Sequence, residues 1–510
     1  LDWFDSWGLT LAVFLPSVGM VIVLVIPKAQ EQALKMAALL TTVATLGVGI
    51  ALLARFDYDK TGTLQFDVNK SWIDVINSRY HMGVDGIALP LLLLTMLITV
   101  MCVVYSWDHF PEPHNPKAFL ALILLLETGM NGTFCAQDLI LFFIFFELVL
   151  LPMFFMIGVW GGPNREYASI KFFLFTLFGS ALMLLSFLAL FFLSDPQTFD
   201  IPRLAAQAGE GLTASTQNLI FVGLFLGFAI KVPMFPFHTW LPDAHTEAPT
   251  VGSVLLAAIL LKLGTYGFVR IALPILPEAA HDWAPWIGLL AVIGIIYGAL
   301  CCLAQRDMKR LIAFSSVAHM GFVMLGIATL TNFGINAAIF GMVAHGLITG
   351  MLFFLAGSVQ ERYDTREISR LGGMLVQVPR LGWILGFCAM ASLGLPGLAG
   401  FWGEFPAILS AYDPAAGISE ITFRVYMVVA AIGTVLAAGY LLWMFQRVAF
   451  GTVKAEFENA HVHDVHWPEW FAWGPLLVLI AVLGIYPNLI FRITDGAVTN
   501  LANGVARVVG

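Results

Sequence analysis

Runs of about twenty consecutive apolar residues recur along this chain from end to end, and no other feature limits the fold as severely. A helix of that length crosses a hydrocarbon layer of about 30 Å with every backbone group bonded internally. The 510 residues are 59% hydrophobic and 11% charged, against roughly 25% charged in a soluble domain, so a water-soluble fold could not hide the apolar surface. Membrane-barrel strands would need alternating polarity over about ten residues, and the stretches 139–157 and 182–193 show none. The expected class is therefore an all-α integral membrane protein with about fourteen transmembrane helices. Its first apolar run, 8–26, follows no basic segment and precedes no small-residue cleavage site, and reads as an uncleaved span rather than a signal peptide.

Between polar breaks the predicted spans, numbered 1 to 14, are 8–27, 33–54, 84–106, 117–134, 138–160, 166–193, 218–241, 250–273, 284–304, 308–330, 334–359, 380–411, 423–450 and 470–495. Basic residues stay on the cytoplasmic side of short loops. Lys28, Lys117, Arg165, Arg306, Lys309, Arg310, Arg362, Arg366 and Arg447 fall together on one side if the N-terminus is outside. The opposite side holds one longer loop with Lys60, Lys70 and Arg79, and scattered residues such as Arg270. This predicts both termini outside. Lys231 and Lys262 alone belong to no loop or helix end. The five cysteines, Cys102, Cys135, Cys301, Cys302 and Cys388, form no Cys-x-x-Cys pair, which argues against a cluster, structural zinc or c-type haem. The net charge of -8 is spread over loops without a basic tract for nucleic acid.

Span 7 carries Pro233 and Pro236 just after Lys231, and span 12 carries Gly394, Pro396, Gly397, Gly400 and Gly403 just before Glu404. Proline removes a donor and glycine loosens the helix, so both spans are expected to break in mid-membrane, which is tolerated only inside protein or beside a wet cavity. Interrupted spans five apart also predict two inverted five-helix repeats. The expected units are an N-terminal three-helix segment (1–116), the repeats 117–275 (spans 4 to 8) and 276–451 (spans 9 to 13), and a C-terminal loop with span 14 (452–510).

An ionisable side chain at mid-membrane must pair, neutralise or meet water, and so marks a functional candidate. Glu147 lies in the apolar run 142–151, Lys231 in 228–233 and Lys262 in 260–264. A carboxylate that moves relative to a buried lysine can make the lysine release and rebind a proton. His319 in span 10, after Ser315 and Ser316, and His345 in span 11 can relay protons near neutral pH. The same pair could instead ligate a haem. Glu404, past the span 12 break, can end such a path. Glu127 is a weaker candidate, because Thr128, Asn131 and Thr133 suggest that the polar end of span 4 is near. His461, His463 and His466 have metal-like spacing but read as a hydrated loop.

The segment Lys231-Val232-Pro233-Met234-Phe235-Pro236-Phe237-His238-Thr239-Trp240-Leu241-Pro242-Asp243-Ala244-His245 closely resembles the helix 7 signature of the antiporter-like membrane subunits of respiratory complex I. Arg306 to Arg310 and Ser315 to Gly321 resemble the helix 10 signature of the same family. The resemblance implies Glu147 and Lys231 as a central ion pair, Lys262, His319 and His345 as a relay, and Glu404 as terminal proton carrier. His238 and His245 are secondary candidates within the signature. Glutamate at the helix 12 position resembles the M-type subfamily, the other two types carrying lysine there. The resemblance implies no cofactor or metal in this chain. NADH, FMN, iron–sulfur clusters and quinone are expected in partner subunits, and the partners are other membrane subunits, including antiporter-like ones on either side, with lipid around them. A bacterial plasma membrane is the expected location. Cation/proton antiporter complexes and membrane-bound hydrogenases share the plan and form the alternative.

Overall fold

The computed structural model describes residues 3–509. Among these, thirteen helices are long and apolar enough to cross a membrane. The predicted span missing from that set is the twelfth, because it is divided into Pro379–Ser392 and Ala399–Ser410. Burial sorts the spans by position. Met308–Ala328 and Asn332–Tyr363 (spans 10 and 11) are enclosed over their whole apolar windows, and Thr250–Ile275 (span 8) nearly so. Trp3–Val25, Glu31–Arg55 and Glu420–Ala449 show most of their surface outward. The enclosed helices carry Lys262, Ser315, Ser316, His319 and His345, so polar groups that lipid would not tolerate sit where only protein meets them.

Both expected breaks are present. Span 7 runs helical over Ala214–Lys231, opens at the prolines, and resumes over Trp240–Glu247. In span 12 the opening between Ser392 and Ala399 contains Gly394 and Gly397 with φ of 83° and 95°, a region that only glycine enters cheaply. Beyond it Gly403 lies so close to span 11 that a Cβ would stand 2.5 Å from the Gly341 Cα. That backbone-to-backbone approach presses the next residue, Glu404, against the enclosed helices.

Four features depart from the sequence reading. Span 5 is interrupted at Val149, one turn before Pro152, whose ring excludes the carbonyl of Leu148 from its bond. Span 8 contains two wide π turns, Leu256–Leu260 and Phe268–Ala272, on either side of Lys262. The longer loop after span 2 is a hairpin of β1 (Gln65–Ile73) and β2 (Ser78–Val84), turned at Asn77 in the left-handed region. Finally, span 14 ends at Ile485 before Pro487, and Asn488–Val509 is a separate amphipathic helix. Its Ile493, Thr494, Ala497, Val498 and Val505 face inward at helical spacing, while Thr494 donates to Asn336 and Asn500 to the Gly62 carbonyl. This terminal helix straps the hairpin end of the bundle.

Candidate functional site

The buried polar groups form a line through the enclosed helices. Lys262 is fully buried, and its ammonium donates to the Ala257 carbonyl and to His345 Nδ1, both at 2.6 Å. Ala257 belongs to the wide turn before Lys262, so the irregular helix supplies the acceptor that holds the charge. The rings of His345 and His319 lie 5.9 Å apart between centroids. His319 Nδ1 meets Glu404 Oε1 at 2.5 Å, and its Nε2 meets the hydroxyls of Ser392 and Tyr440, both at 3.2 Å. A cavity of about 20 Å³ bounded by His319, His345, Ser392 and Glu404 fills the gap in this line. That space suits about one water molecule and has no room for a porphyrin ring. His345 Nε2 and Glu404 Oε2 are both buried without a partner beside the cavity. Two unpartnered polar atoms beside a space of that size give it the polar lining that a buried water needs.

Glu147 and Lys231 make no hydrogen bond to this line among the described residues. Lys231 is buried with its ammonium 4.8 Å from the centre of the Phe146 ring, a cation–π contact. No salt bridge joins it to Glu147 among the described residues, although the two charges are electrostatically coupled. Between them the lysine charge rests over the Phe146 ring rather than in direct contact with a carboxylate.

Glu127 lies deeper than its polar neighbours suggested. It is fully buried with both carboxyl oxygens unpartnered, and Thr128, Asn131 and Thr133 are buried as well. Those three are spent on packing: Thr128 meets Ser17, Asn131 donates to the Ala12 carbonyl and Thr133 bonds its own helix. His245 is also fully buried, both ring nitrogens are without partners, and the ring stacks on Phe353. His238 packs between Phe235 and Tyr297 with Nδ1 unpartnered. No group of three or more His, Cys, Asp or Glu able to hold a metal occurs among the described residues, and His461, His463 and His466 stay in their loop.

One residue was missed. Lys309 sits one position inside its helix, where the sequence reading counted it among the basic residues of the cytoplasmic helix ends, yet it is 2% exposed and donates to the Ala248 carbonyl at 2.5 Å. It floors a cavity of about 620 Å³ whose walls include Asp108, His109, Glu247, Glu361 and Arg366. The Ala248 carbonyl follows the short helix that ends span 7 and carries His245. Position in the sequence alone suggests a solvated lysine; only the return of that short helix over span 10 buries it.

These features define a class: a polytopic membrane protein with two broken helices and an internal line of buried titratable side chains around a water-sized space. Residues 136–446 match the family described as "NADH:quinone oxidoreductase/Mrp antiporter, TM", and residues 61–133 match "NADH-ubiquinone oxidoreductase chain 4, amino terminus". The chain is 39% identical to the NADH-quinone oxidoreductase subunit M of Rickettsia prowazekii, over 97% of this chain and 98% of that one. Among solved structures it superimposes on a chain of respiratory complex I from Thermus thermophilus with a TM-score of 0.86 and 29% identity, covering 98% and 100% of the two chains. A chain of the Mrp complex from Dietzia sp. gives a TM-score of 0.84 at 19% identity, over the full length of both, which shows a common fold. The protein belongs to the family of antiporter-like membrane subunits of NADH:quinone oxidoreductase, in its M-type (chain 4) branch.

Proposed function

We propose that this chain moves protons across the membrane as a subunit of an NADH:quinone oxidoreductase, driven by redox chemistry in partner subunits that hold NADH, FMN, iron–sulfur clusters and quinone. The supporting observation is the line Lys262, His345, His319, Glu404, in which each group can give or take a proton and one water-sized gap remains. In this reading protons collect in the cavity floored by Lys309 and pass by His245 to Lys262. Displacement of Glu147 relative to Lys231 changes the cost of the lysine charge and drives the transfer. Glu404 then releases the proton on the side of the hairpin. Lifting one charge against 100 mV costs about 2.3 kcal/mol, which a pKa change of roughly two units supplies. Breaks in spans 7 and 12 suit two inverted repeats, 117–275 and 276–451, and both termini are placed outside a bacterial plasma membrane. Adjacent antiporter-like subunits and lipid cover the outer faces.

The test is NADH-driven proton uptake into inside-out vesicles, normalised to assembled complex. Glu404→Asp retains part of the pumping and Glu404→Gln loses it, because an amide cannot titrate. Near-normal pumping by Glu404→Gln removes the carrier role.

A further inference from the structure

A third cavity, of about 730 Å³, lies away from the proton line on the outside of the bundle. Its walls come from the last turns of spans 1 and 5 and its floor from the first turns of span 4. Leu24, Phe155 and Val159 on the walls are among the exposed apolar residues, so the groove opens toward lipid. Ala118 and Ala121 on the floor end at Cβ, which makes the groove deep. From Pro116 to Leu125 the floor descends nine residues, about 14 Å of helix, roughly one leaflet of hydrocarbon.

The mouth is cationic. Lys28 has no hydrogen bond or ion pair among the described residues. Lys117 gives one of its three N–H bonds to the Ile26 carbonyl at 2.9 Å and keeps two free. The one carboxylate at the mouth, Glu31, is already held by Lys35 at 2.7 Å and His114 at 3.1 Å. Trp160 is fixed in the wall by its indole N–H, which donates to the Pro113 carbonyl at 2.8 Å. We propose that this groove is a binding site for an anionic phospholipid, one acyl chain lying on Ala118 and Ala121 and the phosphate held between Lys28 and Lys117. A neighbouring subunit's helix fits less well: it would run the full thickness of the membrane, whereas the groove stops after one leaflet, and it would leave two ammonium groups unanswered.

The intact complex, purified in mild detergent, is exchanged into phosphatidylglycerol or phosphatidylcholine, and the lipids retained are counted by native mass spectrometry. Ala121→Phe fills the floor, and the complex then retains one phosphatidylglycerol fewer than the unaltered complex. Lys28→Gln with Lys117→Gln weakens phosphatidylglycerol retention about tenfold and leaves phosphatidylcholine retention unchanged. The proposal is overturned if Ala121→Phe leaves the lipid count unaltered, if the lysine variant binds both lipids as before, or if Ala121→Phe instead sheds a neighbouring subunit. Should Ala121→Phe fail to assemble, the lysine variant, changed only at the rim, decides the matter alone.

Discussion

Lys262→Arg separates a lysine that carries protons from one that merely holds two helices together. The ammonium reaches the Ala257 carbonyl and His345 Nδ1 at 2.6 Å each, and a guanidinium can keep a positive charge and a donor on that carbonyl. It cannot give up its proton. An arginine side chain stays protonated more than five pH units above neutrality, so deprotonation near pH 7 costs roughly 7 kcal/mol, from 1.36 kcal/mol per unit. A relay step through position 262 is then slowed by about five orders of magnitude. The expected result is an assembled complex with wild-type subunit content and no more proton uptake than Lys262→Ala. The assay is NADH-driven quenching of a pH-sensitive dye in inside-out vesicles, with NADH oxidation by an artificial acceptor as the control for intact redox subunits. Pumping by Lys262→Arg at the wild-type ratio of protons to electrons would refute the relay and leave Lys262 a structural residue.

The hairpin gives a pH-dependent prediction. His81 bonds Asp200 at 2.6 Å and Asp67 at 2.8 Å; burial opposes its charge, but the two carboxylates prevail and raise its pKa to about 9. The folded value lies above the unfolded one of about 6.5, so the clamp contributes fully below pH 6.5 and is lost as pH rises through 9. It is worth on the order of 2 kcal/mol after discounting the half-exposed Asp67. Relative to the intrinsic base-catalysed rate, amide protection in 65–84 should fall over that interval, and His81→Gln should remove the fall; protection that does not change with pH in the native protein would discount the clamp. Gly86→Ala should loosen the terminal helix, because its Cβ would stand 1.9 Å from the Ile493 carbonyl and force the backbone apart by a shift costing about 1–3 kcal/mol. The check is proteolysis of 488–509, and unchanged resistance would count against a rigid strap.

What could be read from the sequence was what a single helix decides. Apolar length marked the spans, the prolines and glycines of spans 7 and 12 marked their openings, and isolated charge picked out Lys231 and Lys262. The features that escaped depend on two elements meeting. Lys309 is buried by the helix Trp240–Glu247 returning over span 10, which no local pattern records. The polar neighbours of Glu127 looked like a wet helix end, but Ser17 and the Ala12 carbonyl, more than a hundred residues away, take up Thr128 and Asn131. Two signals were present and unread: Pro152, four residues beyond the freed carbonyl in span 5, and Pro487, which ends span 14. The wide turns around Lys262 have no evident mark in residue type, since Leu256–Leu260 reads as ordinary apolar helix.

The tightness of the gap between His345 and Glu404 bears on what the membrane leaks. A proton crosses by exchange of bonds, each group passing on a different proton from the one it received, so nothing larger than a hydrogen nucleus travels. A sodium or potassium ion must move bodily, with water or fixed oxygens replacing its shell at each step. A space of about 20 Å³, bordered by an imidazole at either hand and the Lys262 ammonium beyond one of them, offers a metal cation neither passage nor a coordination sphere. In the proposed mechanism, the same narrowness that leaves room for about one water keeps the barrier to salt closed while protons pass.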